Sequence, residues 1–88
     1  MNLYEQYKDK IEVFLSVCHR LSANKYVTGF GGNLAWKLEE NLLLITPTQM
    51  NKGDIGFSDV VFIDMQGKTV AGTRRPTGET PMYVNFFR

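Results

Sequence analysis

Eighty-eight residues, with ten basic and nine acidic side chains and a net charge of +1, make at most one small domain and leave no electrostatic footprint for nucleic acid or an anionic membrane. A single cysteine, Cys18, and a single histidine, His19, exclude a disulfide framework and a structural zinc site built from this chain alone. At 43% hydrophobic and 12% aromatic the chain is not disordered, its apolar runs are far short of a membrane span, and its polar start lacks a signal-peptide core, so the expected setting is cytoplasmic.

The first segment reads as a helix. Tyr4, Tyr7, Ile11, Phe14, Leu15, Cys18 and Leu21 follow three-four spacing along one apolar stripe, and Asn2 with Glu5 fits a capping box. The spacing predicts an end around Ser22 to Lys25. Gly29, Gly31 and Gly32 then mark backbone that turns or is closely approached. Leu34, Trp36 and Leu38 alternate with polar or small residues, as in a half-buried strand. After the polar turn Glu39-Glu40-Asn41, the run Leu42 to Ile45 predicts a strand covered on both faces, paired with the first as a hairpin.

Thr46-Pro47 ends that strand. Thr48 to Ser58 reads as a loop with one helical turn. Val60 to Ile63, a turn at Met65 to Lys68, and Thr69 to Ala71 form a second hairpin. Thr80 is the expected N-cap of a last helix and Pro81 its first residue. The predicted class is α/β (α+β), a mainly antiparallel sheet of two hairpins flanked by helices. One imbalance follows: the buried strand asks for cover on both faces, yet only one full helix and one short helix are available, and Phe86 and Phe87 need partners. The expectation is a domain completed by further chain or by other subunits.

Three polar loops can converge at one end of such a sheet: Gly31-Gly32-Asn33, Thr46-Pro47-Thr48 and Pro76-Thr77-Gly78-Glu79. Exposed backbone N–H groups and threonine hydroxyls near a helix N-terminus suit an anion. The same residues also serve tight turns and caps, and on spacing alone that simpler reading carries more weight. Glu79 is a candidate general acid/base, or a surface carboxylate that complements the helix dipole. Cys18 and Trp36 read as core, His19 as non-catalytic, and Arg74 and Arg75 as solvated turn residues.

In order along the chain, the segments Gly31-Gly32-Asn33-Leu34-Ala35-Trp36-Lys37, Ile45-Thr46-Pro47-Thr48-Gln49, Ile63-Asp64 through Gly67 to Gly72, and Pro76-Thr77-Gly78-Glu79 resemble the N-terminal part of the class II aldolase/adducin family, fuculose-phosphate aldolases among its members. The resemblance implies the N-terminal part, residues 1–88, of an α/β/α domain. It also implies a metal-dependent sugar or sugar-phosphate lyase that makes or breaks a carbon–carbon bond through a metal-stabilised enediolate, and that assembles as a homo-oligomer, typically a tetramer. It implies that Asn33, Thr48 and Thr77, with backbone from Gly32 and Gly78, hold the substrate's phosphate. Glu79 would be the catalytic acid/base beside a divalent metal, usually zinc.

Gly78 and Ala35 stand where the family pattern has serines, Gln49 where it has glycine, and Tyr83 where many members have histidine. The missing hydroxyl at position 78 and the missing glycine at position 49 weigh against a phosphorylated substrate. The family's metal-binding histidines follow the last helix, so no metal site and no activity are expected of this chain alone. The rival readings are a non-catalytic adducin-like binding or assembly module, and a small stand-alone anion-binding domain.

Overall fold

The computed structural model describes residues 2–23 and 33–88. Asn2 accepts the Glu5 N–H on its side-chain oxygen at 2.9 Å and starts helix α1, Leu3–Gln6. Helix α2, Lys8–Ala23, follows directly. The predicted single helix is therefore interrupted at Tyr7, which leaves helical dihedrals (φ −109°, ψ 24°). There its ring packs on Phe62 and its hydroxyl donates to Glu39. The apolar stripe is real: Ile11, Phe14 and Cys18 are buried, and Lys8, Asp9, Lys10 and Glu12 face out.

Strands β1 (Ala35–Glu39), β2 (Leu42–Ile45), β3 (Val61–Ile63) and β4 (Thr69–Ala71) form one antiparallel sheet in sequence order. The two predicted hairpins are thus joined through β2 and β3 into a meander. Strand periodicity sorts the side chains. The paired row Trp36, Leu44, Phe62 and Ala71 faces α2. Leu43, Ile45, Val61 and Ile63 face the other way. All four residues of β2 are buried, as a strand covered on both faces requires. Each such side chain contributes about 1.5–3 kcal/mol relative to exposure.

The second face is covered by α3, Thr80–Phe87, which brings Val84 with half-buried Tyr83 and Phe87. An eight-residue helix thus covers this face of β2 and β3, strands of four and three residues, while Met82, Val70 and Phe86 remain exposed. Phe87 finds a partner core, whereas Phe86 stays 77% exposed. The first helical residue is Thr80, not Pro81, and Glu79 is the N-cap. Thr80 does not cap, because its hydroxyl donates backwards to the Thr77 carbonyl at 2.6 Å.

The loop after β2 holds two 3-10 turns rather than one, Lys52–Asp54 and Phe57–Asp59. Asn51 accepts the Gly53 N–H, and Asp59 accepts the Gly56 N–H, each at 2.9 Å. The carboxylate of Asp59 also accepts from Arg74 Nε at 3.0 Å, so Arg74 is a paired rather than a free turn residue. Backbone hydrogen bonding, and next to it Arg74, holds the Asp59 carboxyl below its ordinary value against an opposing effect of burial. His19 lies on the exposed face of α2, with Nε2 2.8 Å from the Ile55 carbonyl.

The aspartate–glycine–glycine segment is explained by the fold. Asp64 Oδ1 accepts from Gln66 N and Lys68 N, which closes the β3–β4 turn. Gly72 has φ +122°, and a Cβ there would sit 3.0 Å from the Tyr4 hydroxyl, which donates to the Val60 carbonyl. Among the described residues no helix is long and apolar enough to cross a membrane.

Candidate active site

The end of β2 is where the polar loops meet. Thr46 follows the strand directly, and Pro47 bridges Pro76 in an isolated antiparallel pair. Thr77 N donates to the Thr46 carbonyl at 3.1 Å, and Thr48 N donates to the Arg75 carbonyl at 2.8 Å. These bonds zip residues 46–48 to 75–77 and set the entry to α3. On the other side, Thr46 N donates to the Leu34 carbonyl at 3.1 Å, and Leu34 N donates to Thr46 Oγ1 at 3.2 Å. Proline at 47 and 76 removes donors that this short ladder does not use.

Asn33 and Glu79 come together at this corner. Asn33 Nδ2 donates to Glu79 Oε1 at 2.5 Å, a charge-assisted contact across 46 sequence positions. Glu79 makes no side-chain cap bond to its own helix, so its carboxylate turns to Asn33. The Asn33 side-chain oxygen accepts from Thr46 Oγ1 at 3.3 Å. The Asn33 backbone carbonyl accepts from the Tyr83 hydroxyl. Burial, and then the Glu79 carboxylate, push the Tyr83 hydroxyl above the usual tyrosine range.

The other expected site residues fall around this pair. Thr77 is buried, and its hydroxyl oxygen accepts the Glu79 N–H at 3.3 Å. Thr48 is half-buried in the neighbouring loop, followed by Gln49 at φ +57°. Gly78 is open: a Cβ there would meet nothing within 4 Å. Gly32 lies outside the described residues. Two residues were not among the expected site residues: Thr46, which shares its hydroxyl between β1 and Asn33, and Tyr83. Tyr83 stands four positions after Glu79 on α3, the spacing that stacks side chains on one helix face.

Helix α3 separates two clefts. One, about 450 Å³, is lined by Thr77, Gly78, Thr80, Asn85 and Arg88 among others. The second, about 280 Å³ and largely apolar, runs from Asn33 and Leu34 past Tyr83 to Met82 and Phe86. Glu79 stands at the head of the helix between them. Among the described residues no group of three or more His, Cys, Asp or Glu side chains could hold a metal ion.

The chain is similar to known proteins. Residues 12–88 match the class II aldolase and adducin N-terminal domain. The chain belongs to that family. It is 37% identical over 78 residues to the L-fuculose phosphate aldolase of Methanococcus vannielii, covering 89% of this chain and 41% of that protein. It is 33% identical over 93 aligned positions to the methylthioribulose-1-phosphate dehydratase of Sulfurihydrogenibium, covering 98% of this chain and 42% of that protein. A solved L-fuculose 1-phosphate aldolase superposes with a TM-score of 0.80 at 30% identity, over 90% of this chain and 38% of that one. The helix–meander–helix architecture is thus the N-terminal part of the class II aldolase fold. The chain spans about two fifths of the length of the curated relatives it matches.

Proposed function

We propose that the complete polypeptide is a lyase-type enzyme acting on a small sugar phosphate, with Glu79 as its proton-transfer group. In this reading Asn33, Thr48 and Thr77, with backbone from Gly32 and Gly78, receive the anionic end of the substrate. The observation that carries it is the Asn33–Glu79 contact. A carboxylate at a helix N-terminus ordinarily turns back to the free N–H groups of its first turn. Glu79 instead turns to the side chain of Asn33 on another loop, and its neighbours Gly78 and Thr80 line an open cleft. Names of relatives support the substrate class, since both the aldolases and the dehydratases act on sugar phosphates.

The chemistry asked of Glu79 is simple. When the carbon–carbon bond between the α-carbon of a carbonyl and a hydroxyl-bearing carbon breaks, the electron pair stays on the α-carbon, while the hydroxyl gives up its proton to a base and becomes the aldehyde carbonyl of the other fragment. The α-carbon then takes up a proton, which a carboxyl group within reach supplies, and in the direction of bond formation the carboxylate removes that same α-proton. Family membership also suggests a divalent metal, zinc in the first instance, and a homo-oligomer. The described residues do not fit a metal site by themselves, so its ligands are to be sought outside them.

The test is Glu79→Gln in the complete polypeptide, with cleavage of L-fuculose 1-phosphate, the compound named in its relatives, as the assay. Loss of turnover by ~10²–10⁴-fold, the scale of general acid–base contributions, is the expected result. Full turnover in the variant moves Glu79 to a structural role. No turnover in the parent, with folding intact, removes L-fuculose 1-phosphate as substrate, and a lack of turnover with methylthioribulose 1-phosphate as well favours the non-catalytic, adducin-like branch of the family.

A further inference from the structure

We infer that Tyr83 is a positioning residue, which fixes the Glu79 carboxylate by clamping Asn33 between itself and Thr46. This rests on the proposed role of Glu79 and adds how that group is held.

Asn33 is tied at three polar atoms, and the second proton of its NH₂ group stays available to a substrate. Its backbone carbonyl accepts from the Tyr83 hydroxyl, its side-chain oxygen accepts from Thr46 Oγ1, and its side-chain nitrogen donates to Glu79. The order of these bonds sets the direction of the amide. The Thr46 hydroxyl accepts the Leu34 N–H, and its one proton has two acceptors in reach, Asn33 Oδ1 at 3.3 Å and the Leu34 carbonyl at 3.5 Å, of which Asn33 is the nearer. A carboxylate only accepts, so the NH₂ group is the one that faces Glu79, and a turned amide would set oxygen against carboxylate oxygen and lose that bond. Tyr83 holds the Asn33 backbone itself. It sits on α3, one turn after Glu79, and reaches across to the residue that holds Glu79, so helix and loop are locked together at two points. Half-burial of Tyr83 against the α3-side core keeps its ring in place and its hydroxyl protonated for donation. Glu79 has no cap bond of its own, so the Asn33 amide is what orients its carboxylate.

The test is Tyr83→Phe in the complete polypeptide, which keeps the ring and removes the donor. Two measurements are made. The first is ¹⁵N relaxation of the Asn33 side-chain amide without substrate, where the order parameter is expected to fall below about 0.6, the flexible range. The second is cleavage of L-fuculose 1-phosphate: kcat is expected to fall about tenfold with KM changed much less, and Tyr83→Phe is expected to add nothing in an Asn33→Ala background, the mark of residues acting in series. An Asn33 amide as rigid in Tyr83→Phe as in the parent overturns the proposal, and so do additive losses with Asn33→Ala. A loosened amide in a protein whose Glu79→Gln variant is fully active supports the clamp while removing the catalytic role of Glu79, so the two readings fail separately. Thr46→Val tests the second tie, and Thr46→Ser is expected to restore it. Removal of the Thr46 hydroxyl also leaves the Leu34 N–H without its acceptor, so the decision rests on Tyr83→Phe.

Discussion

Asn33 and Glu79 lie 46 positions apart and meet side chain to side chain, one on the approach to β1 and the other at the N-cap of α3. Their meeting depends on a four-residue strand, β2, whose last apolar residue hands over to Thr46. The candidate site is therefore built from the point where β2 runs out, and the following expectations probe what surrounds it.

Gly78 has open space around it, so the serine of the family pattern fits without strain. Gly78→Ala is expected to leave stability unchanged or raise it by up to about 1 kcal/mol, through the unfolded chain. Urea denaturation checks this. Gly78→Ser adds a donor beside Thr77, and a lower KM for a sugar phosphate with little change in kcat is the expected result if this loop receives the phosphate. An unchanged KM separates the loop from phosphate recognition.

Gln49 is held at φ +57° in the loop after Thr48, the position where the family pattern has glycine. The left-handed region costs a non-glycine residue roughly 1–2 kcal/mol, and glycine returns part of that in unfolded-state freedom. Gln49→Gly is thus expected to change stability by no more than about 1 kcal/mol, in the stabilising direction. Gln49→Val, stiff at Cβ, is expected to cost more than about 1 kcal/mol. Equal stability of the two variants would mean that the loop adopts another backbone in solution.

Asp59 supplies an acid-sensitive tie. Its carboxylate accepts from Gly56 N and from Arg74, and its folded pKa lies below the ordinary value of 3.8. The unfolded chain then takes up the proton first as pH falls. The contribution is complete above the unfolded value and is lost as pH drops through the folded one. Asp59→Ala is expected to cost about 1 kcal/mol at pH 7, the size of a lost helix-type cap, and the difference from the parent should shrink as pH falls below the aspartate range. A difference that stays constant down to pH 2 removes the charge from the account.

Much of the architecture was readable before the structure, for physical reasons. Leu42 to Ile45 form an unbroken apolar run because both faces of β2 are covered, and Ile11, Phe14 and Cys18 keep helical spacing because α2 lies on one of them. The convergence of the loops at Asn33, Thr46 and Thr77 followed from glycine and threonine placement at strand ends. The start of α3 did not, because Glu79 takes near-helical dihedrals (φ −86°, ψ 6°) in spite of the Thr-Pro signal after it. The break at Tyr7 and the roles of Thr46 and Tyr83 were out of reach for a common reason. Each depends on a partner on another element, from Glu39 for Tyr7 to Asn33, 50 positions away, for Tyr83. Local spacing carries no record of such pairs. The roles implied for Glu79 and the phosphate-loop residues came from resemblance and stand as proposals.

The sheet keeps its two faces apart, and they are unequal. Among the described residues, nine buried ones form one cluster on the α2 side, while the α3 side has five, of which α3 itself supplies Val84. A helix of eight residues has little stability of its own in water. Opening of α3 is then a smaller event than unfolding of the domain, and its amides should exchange with solvent while those of β2 and β3 stay protected. The carboxylate proposed to move protons rides on the layer that yields first, so the ties from Asn33 to Glu79 and Tyr83 pin the thinner side of the domain to the edge of the sheet.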